Sequence, residues 1–151
     1  MVITYDYNTD KETNKSALEV VVADDHHLVR RGIRMLLSRE ADIEVVAEAE
    51  DGQEAVDLVG ELEPDVVVID VEMPHLDGIA ATRQIQEVAP HTKTVVVSLY
   101  GGASLVEMAM KSGASGYVLK ADMFADLLPA VRAVLAGRIF FSSSITALRP
   151  F

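Results

Sequence analysis

Apolar and polar positions fall in alternating blocks along most of the chain. Five short runs rich in valine and isoleucine stand out: Glu19-Val20-Val21-Val22-Ala23, Ile43 to Ala49, Asp65 to Ile69, Thr94 to Ser98 and Tyr117 to Leu119. Continuous β-branched runs of this length are what a strand buried on both faces needs. Between them the apolar positions change to helical spacing. HHLVRRGIRMLLSRE places Leu28, Ile33, Leu36 and Leu37 on a helix. Gln53 to Leu62 is entered through Asp51-Gly52 and stopped by Pro64, and Ile79 to Val88 follows the turn MPHLDG and closes at Ala89-Pro90. Ser104 to Lys111 is a shorter helix. The last runs from about Met123 to Ala136 with Asp122 as its N-cap. Pro129 interrupts that segment, which predicts a 3₁₀-like opening and a regular helix from near Pro129.

Five strands alternating with five helices imply an α/β fold, a parallel sheet covered by helices on both faces. Right-handed crossovers leave few topologies at this length, and the doubly wound, flavodoxin-like strand order 2-1-3-4-5 is the natural one. The block pattern occupies residues 18–138. Residues 1–17 are polar and aperiodic and read as a flexible arm. Residues 139–151, which include FFSSSITALRPF, read as a linker or docking segment.

Composition narrows the function. With 151 residues the chain suits one domain, and with half of them apolar it can bury a full core. It has no cysteine, so disulfides and thiolate chemistry are excluded. Apolar runs are only strand length and the polar start lacks a leader pattern, so a cytoplasmic protein without a membrane span is expected. Thirteen Lys and Arg residues face 24 acids, a net charge of −11. Nucleic-acid affinity comes mostly from cationic side chains on phosphates, so these residues are not expected to bind DNA themselves. An acidic surface suits a cationic partner or a divalent metal.

In doubly wound sheets ligands bind beyond the carboxyl ends of the strands, and four of the strands end in reactive side chains. The first ends in Asp24-Asp25, the third in Asp70, the fourth in Ser98 and the fifth in Lys120. Singly, each has a plainer reading: helix caps for the acid pair, a turn residue for Asp70, a local hydrogen bond for Ser98, a solvated lysine for Lys120. Their recurrence at successive strand ends favours a shared pocket. Three carboxylates there need compensating positive charge. Lys120 supplies one charge and an oxygen-bound Mg²⁺ the rest. A lysine with Mg²⁺ is the equipment that neutralises a phosphoryl group, and a carboxylate between them can take that group as an aspartyl-phosphate. His26, His27, His75 and His91 show no helical metal-ligand spacing and read as surface or packing residues. Gly101-Gly102 lacks the Walker lysine and reads as a flexible loop.

These motifs carry a resemblance. The segments VVVADDHHLVRRGIRMLL, DGQEAVDLV, PDVVVIDVEMPHLDGIAATRQI, KTVVVSLY and KSGASGYVLKADMFADLLPAVRAVLAG resemble the receiver domain of bacterial two-component response regulators, most closely the NarL/FixJ (LuxR-type) subfamily. The resemblance implies that Asp70 is the phosphorylated residue and that Mg²⁺ is held by Asp25 directly and by Asp24 mainly through water. It also implies that the backbone carbonyl of Glu72 ligates the metal, that Lys120 pairs with the phosphoryl group, and that Ser98 and Tyr117 act as a hydroxyl–aromatic switch. A sensor histidine kinase is the implied partner, a homodimer is possible within the family, and DNA would be met only through an output domain not present in these residues. Ala121 follows the lysine where many receivers have proline, and Leu99-Tyr100-Gly101-Gly102 replaces a more polar loop.

Two other classes compete with a phosphorylation switch. An aspartyl-phosphate phosphohydrolase would want a second catalytic aspartate two residues after the nucleophile, where this chain has Glu72. A stand-alone or phosphate-independent adaptor would act by protein–protein contact alone.

Overall fold

The computed structural model describes residues 17–148; the arm expected over residues 1–17 lies almost wholly outside them. The elements follow in the order β1 (Leu18–Ala23), α1 (His27–Ser38), β2 (Ile43–Ala49), α2 (Gly52–Leu62), β3 (Val66–Asp70), α3 (Gly78–Val88), β4 (Lys93–Ser98), α4 (Ala103–Lys111), β5 (Gly116–Leu119), a 3₁₀ turn (Lys120–Asp122), α5 (Met123–Leu135), β6 (Phe140–Phe141) and α6 (Ser143–Leu148). All strand pairs are parallel and the sheet order is β2-β1-β3-β4-β5-β6. The doubly wound order 2-1-3-4-5 is therefore present, with β6 added at the β5 edge. Among the described residues no helix is long and apolar enough to cross a membrane.

Strand periodicity divides the core into two layers. Val21, Ala23, Val67, Ile69, Val96 and Tyr117 pack on one side with α2, α3, α4 and Ile145. Val20, Val22, Val66, Val68, Val95, Val97 and Val118 pack on the other with Ile33 and Leu37 of α1 and with α5. The valine runs are continuous because alternate residues serve opposite layers, which is how a two-sided sheet reads in sequence.

Three expectations need correction. Leu28, placed on the apolar stripe of α1, is exposed, and the buried stripe is Arg30, Ile33 and Leu37. Those three recur at i, i+3 and i+7, whereas Leu28 precedes Ile33 by five residues and faces away. Asp122 precedes α5 but its side chain makes no cap; Oδ1 instead lies 3.3 Å from Ser144 Oγ. The regular helix starts at Met123 and contains Pro129. Pro129 and Ala125, whose carbonyl loses its usual partner, are both exposed, so water can satisfy that group. Of the stretch read as a linker or docking segment, Phe140–Phe141 form β6 and Ser143–Leu148 form α6, with β6 paired to β5.

Asp-Gly pairs start two of the helices. Asp51 Oδ1 accepts from Glu54 N at the head of α2 (2.8 Å), and Asp77 Oδ1 accepts from Ala80 N at the head of α3 (2.9 Å). These are N-caps that satisfy otherwise orphaned donors. Asp77→Ala is expected to lower unfolding free energy by about 1 kcal/mol, read from the urea midpoint at constant slope.

Candidate functional site

The crevice beyond the strand ends brings together most of the residues singled out from sequence. Val66, Val68 and Asp70 share one row of β3, and Asp70, its last residue, is only 4% exposed. β3 lies between β1 and β4, so Asp70 has Asp24, just past β1, beside it. Lys120 begins the 3₁₀ turn after β5 and reaches across. Its Nζ lies 3.1 Å from Asp24 Oδ2 and 3.3 Å from Asp70 Oδ1. Asp25 stands exposed at the rim, and ligand atoms of Asp24, Asp25, His26 and Asp70 all lie within 4.8 Å of one another.

Electrostatics follow from this packing. Burial pushes the Asp70 carboxyl up from its ordinary 3.8 to about 6, with the neighbouring Asp24 charge adding to the rise and Lys120 opposing it. Burial of the Lys120 ammonium works against its charged form, but Asp24 and Asp70 outweigh that and hold its pKa above the usual lysine value. Asp24 is fully buried, and its Oδ2 has no hydrogen-bond donor aligned with it; the nearby ammonium lies at ion-pair distance without that geometry. An oxygen-rich cluster with a buried, incompletely satisfied carboxylate oxygen is a fitting seat for a hard divalent cation.

Ser98 and Tyr117 lie on the adjoining strands. Ser98 is 1% exposed at the end of β4, and its Oγ accepts from Tyr100 N at 3.0 Å. Tyr117, wholly buried, donates from its hydroxyl to the Tyr100 carbonyl at 2.6 Å. Burial raises its phenol pKa, the Ser98 hydroxyl opposes that, and the Asp70 charge adds to it. Glu72 is exposed and outside the carboxylate cluster; it lines an open cleft of about 710 Å³ shared by Asp25, Met73, Ile79, Arg83, Leu105 and Met108.

A sequence profile of the response regulator receiver domain matches residues 20–132. The chain belongs to that family. Transcriptional regulatory protein DegU of Brevibacillus brevis is 39% identical over 138 residues, 91% of this chain and 58% of its own length. A crystal structure of a LuxR-family two-component response regulator from Aurantimonas sp. SI85-9A1 superposes with a TM-score of 0.83 at 39% identity, over 87% of this chain and 94% of that one. The isolated receiver of RcsB from Salmonella enterica serovar Typhimurium, solved in the presence of the phosphomimetic BeF₃⁻, gives 0.81 at 28% identity, over 89% and 99%. This receiver spans about three fifths of the length of the curated relatives it matches. Those relatives are regulators.

Two residues of the receiver site were not singled out from sequence. His26 Nδ1 sits 3.2 Å from Asp24 Oδ1 and 3.1 Å from Asp25 Oδ1. It remains a surface side chain, but one at the mouth of the acid cluster. Its signal was position after a strand-end acid pair, which a search for helical ligand spacing passes over. Arg30 is 7% exposed; its Nη1 donates to the Asp24 carbonyl at 2.7 Å and its Nε to Glu48 Oε1 at 3.0 Å. It ties α1 and β2 to the loop that presents the acid pair.

Proposed function

We propose that this receiver is a switch that takes a phosphoryl group on Asp70 from a sensor histidine kinase, with Mg²⁺ held by Asp24, Asp25 and Asp70. The observation that carries the reading is the buried Asp70 carboxylate beside buried Asp24, with the Lys120 ammonium 3.3 Å from the first and 3.1 Å from the second. In the transfer the P–N bond of a kinase phosphohistidine breaks as a bond forms from an Asp70 carboxylate oxygen to phosphorus, and the imidazole leaves with the electron pair. Lys120, already 3.3 Å from Asp70 Oδ1, would pair with the transferred group. The bound cation would neutralise charge on the phosphoryl oxygens. A ring nitrogen of His26, within 4.8 Å of the ligand atoms of the three aspartates, would be a further donor to that cation. The backbone carbonyl of Glu72 is the ligand that the family resemblance implies.

The output would run through Ser98 and Tyr117. Homology to transcription regulators supports control of transcription through a DNA-binding domain beyond these residues, with pairing of two receivers as a further route. The phosphohydrolase reading is weakened because Glu72 lies outside the carboxylate cluster.

Intact-mass measurement after incubation with Mg²⁺ and acetyl phosphate tests the reading. The wild type should gain the mass of one phosphoryl group, and Asp70→Asn should gain none. An equal adduct on both proteins, or none on either together with failure to bind beryllofluoride, would refute it.

A further inference from the structure

A continuous set of contacts joins the side chains beside Asp70 to the C-terminal segment. Ser98 Oγ accepts from Tyr100 N, and the Tyr100 carbonyl accepts from the Tyr117 hydroxyl. The Tyr117 carbonyl in turn accepts from Ser142 N at 2.9 Å, and Ser142 Oγ accepts from Leu119 N at 2.8 Å. Phe140 and Phe141 pair with Gly116 and Tyr117, so β6 is hydrogen-bonded to the strand that carries the buried tyrosine. Ile145 is 3% exposed within the same core cluster as Tyr117.

Gly101 closes this circuit from the other side. A Cβ there would lie 3.0 Å from Leu119 Cδ2 and 3.4 Å from Ile145 Cγ1, so the loop after Ser98 packs directly against the seat of Ile145. Gly101 is not in the left-handed region. It is glycine where the loop must approach closely, in addition to any freedom it confers. At the far end the segment is held by Ser143 N to Asp126 Oδ2 at 3.2 Å and by Ser144 Oγ to Asp122 Oδ1.

We propose that residues 140–145 form a latch that reads the state of Ser98 and is loosened when Asp70 takes up a phosphoryl group. The latch rests on the assignment of Asp70 as acceptor. A Ser98 hydroxyl that turns toward a phosphoryl oxygen gives up the Tyr100 amide. The loop, anchored at that amide and bare of side chains at Gly101 and Gly102, then moves against Leu119 and Ile145. The pairing with β5 and the contact of Ile145 with the Gly101 loop tie these residues to the elements that carry Ser98 and Tyr117. A local rearrangement can therefore shift their docking equilibrium.

Hydrogen exchange followed by mass spectrometry on the full chain tests this, with and without Mg²⁺ and beryllofluoride, while fluorine NMR monitors the adduct. Peptides covering residues 140–148 should exchange several-fold faster in the adduct, and α2 should not change. Because coupling is reciprocal, Ile145→Asp should bind beryllofluoride several-fold more tightly than the wild type. Ser98→Ala should erase that difference. An adduct visible by fluorine NMR with unchanged or slower exchange over 140–148 overturns the latch and leaves the acceptor assignment standing. Absence of any adduct removes the acceptor assignment and the latch with it.

Discussion

Replacing Asp70 by asparagine is expected to stabilise the metal-free protein at pH 7.5 by on the order of 1–3 kcal/mol. The Asp70 carboxyl titrates near 6 in the fold against an ordinary 3.8. Between those values the folded state holds a proton that the unfolded state has released, so stability falls as pH rises through that window. Below about pH 4 both states are protonated and the penalty vanishes. Above about pH 6 the penalty is complete, because the fold must then bury an ionised carboxylate beside Asp24. Asparagine keeps the shape without the charge, and Lys120 keeps Asp24 as a partner at 3.1 Å. Thermal unfolding of wild type and Asp70→Asn across pH 4–8 should therefore give curves that meet at the acid end and separate toward neutrality. Millimolar Mg²⁺ should then raise the wild-type Tm and narrow the gap, since a ligand stabilises the state that binds it. A gap that is constant with pH, or Asp70→Asn being the less stable protein at pH 7.5, would refute the electrostatic account.

The same tension explains why parts of the site were legible in sequence. Carboxylates ending two adjacent buried strands, and a lysine ending a third, have few purely structural uses in combination. The valine runs gave the two-sided sheet because period-two alternation becomes a continuous run when both faces are covered. Other features left no periodic trace. Phe140-Phe141 is too short to read as a strand and exists because the β5 edge is free to pair with it. Arg30 lies on the buried stripe of α1, where a charged residue argues against burial until Glu48 and the Asp24 carbonyl are brought to it by β2 and β1. His26 needed the loop geometry, not a spacing rule. Gly101 shows the limit most plainly: sequence offers flexibility for it, and the closest contact its small size allows comes from Leu119 on the neighbouring strand, with Ile145 behind it.

Gly78→Ala is expected to produce the other large effect, a loss of about 3 kcal/mol in stability together with at least a tenfold drop in phosphoryl acceptance. Gly78 is the first residue of α3, and its N–H donates to the Val71 carbonyl at 2.7 Å. A Cβ at this position would collide with the Asp70 carbonyl oxygen and lie 2.8 Å from its carbon and 2.9 Å from Val71 Cα. These are backbone atoms and cannot rotate away as a flexible side chain could. Either α3 retreats, breaking the Gly78–Val71 bond, or the end of β3 shifts and carries Asp70 out of line with Lys120. Gly32→Ala is the matching control: that glycine lies within α1 with nothing within 4 Å of a Cβ, so alanine there should stabilise by roughly 0.5–1 kcal/mol through helix propensity. Urea unfolding reads the first effect and the intact-mass phosphorylation rate the second. A Gly78→Ala protein with wild-type stability and wild-type rate would show that the close approach of α3 to the acceptor strand does not constrain the site.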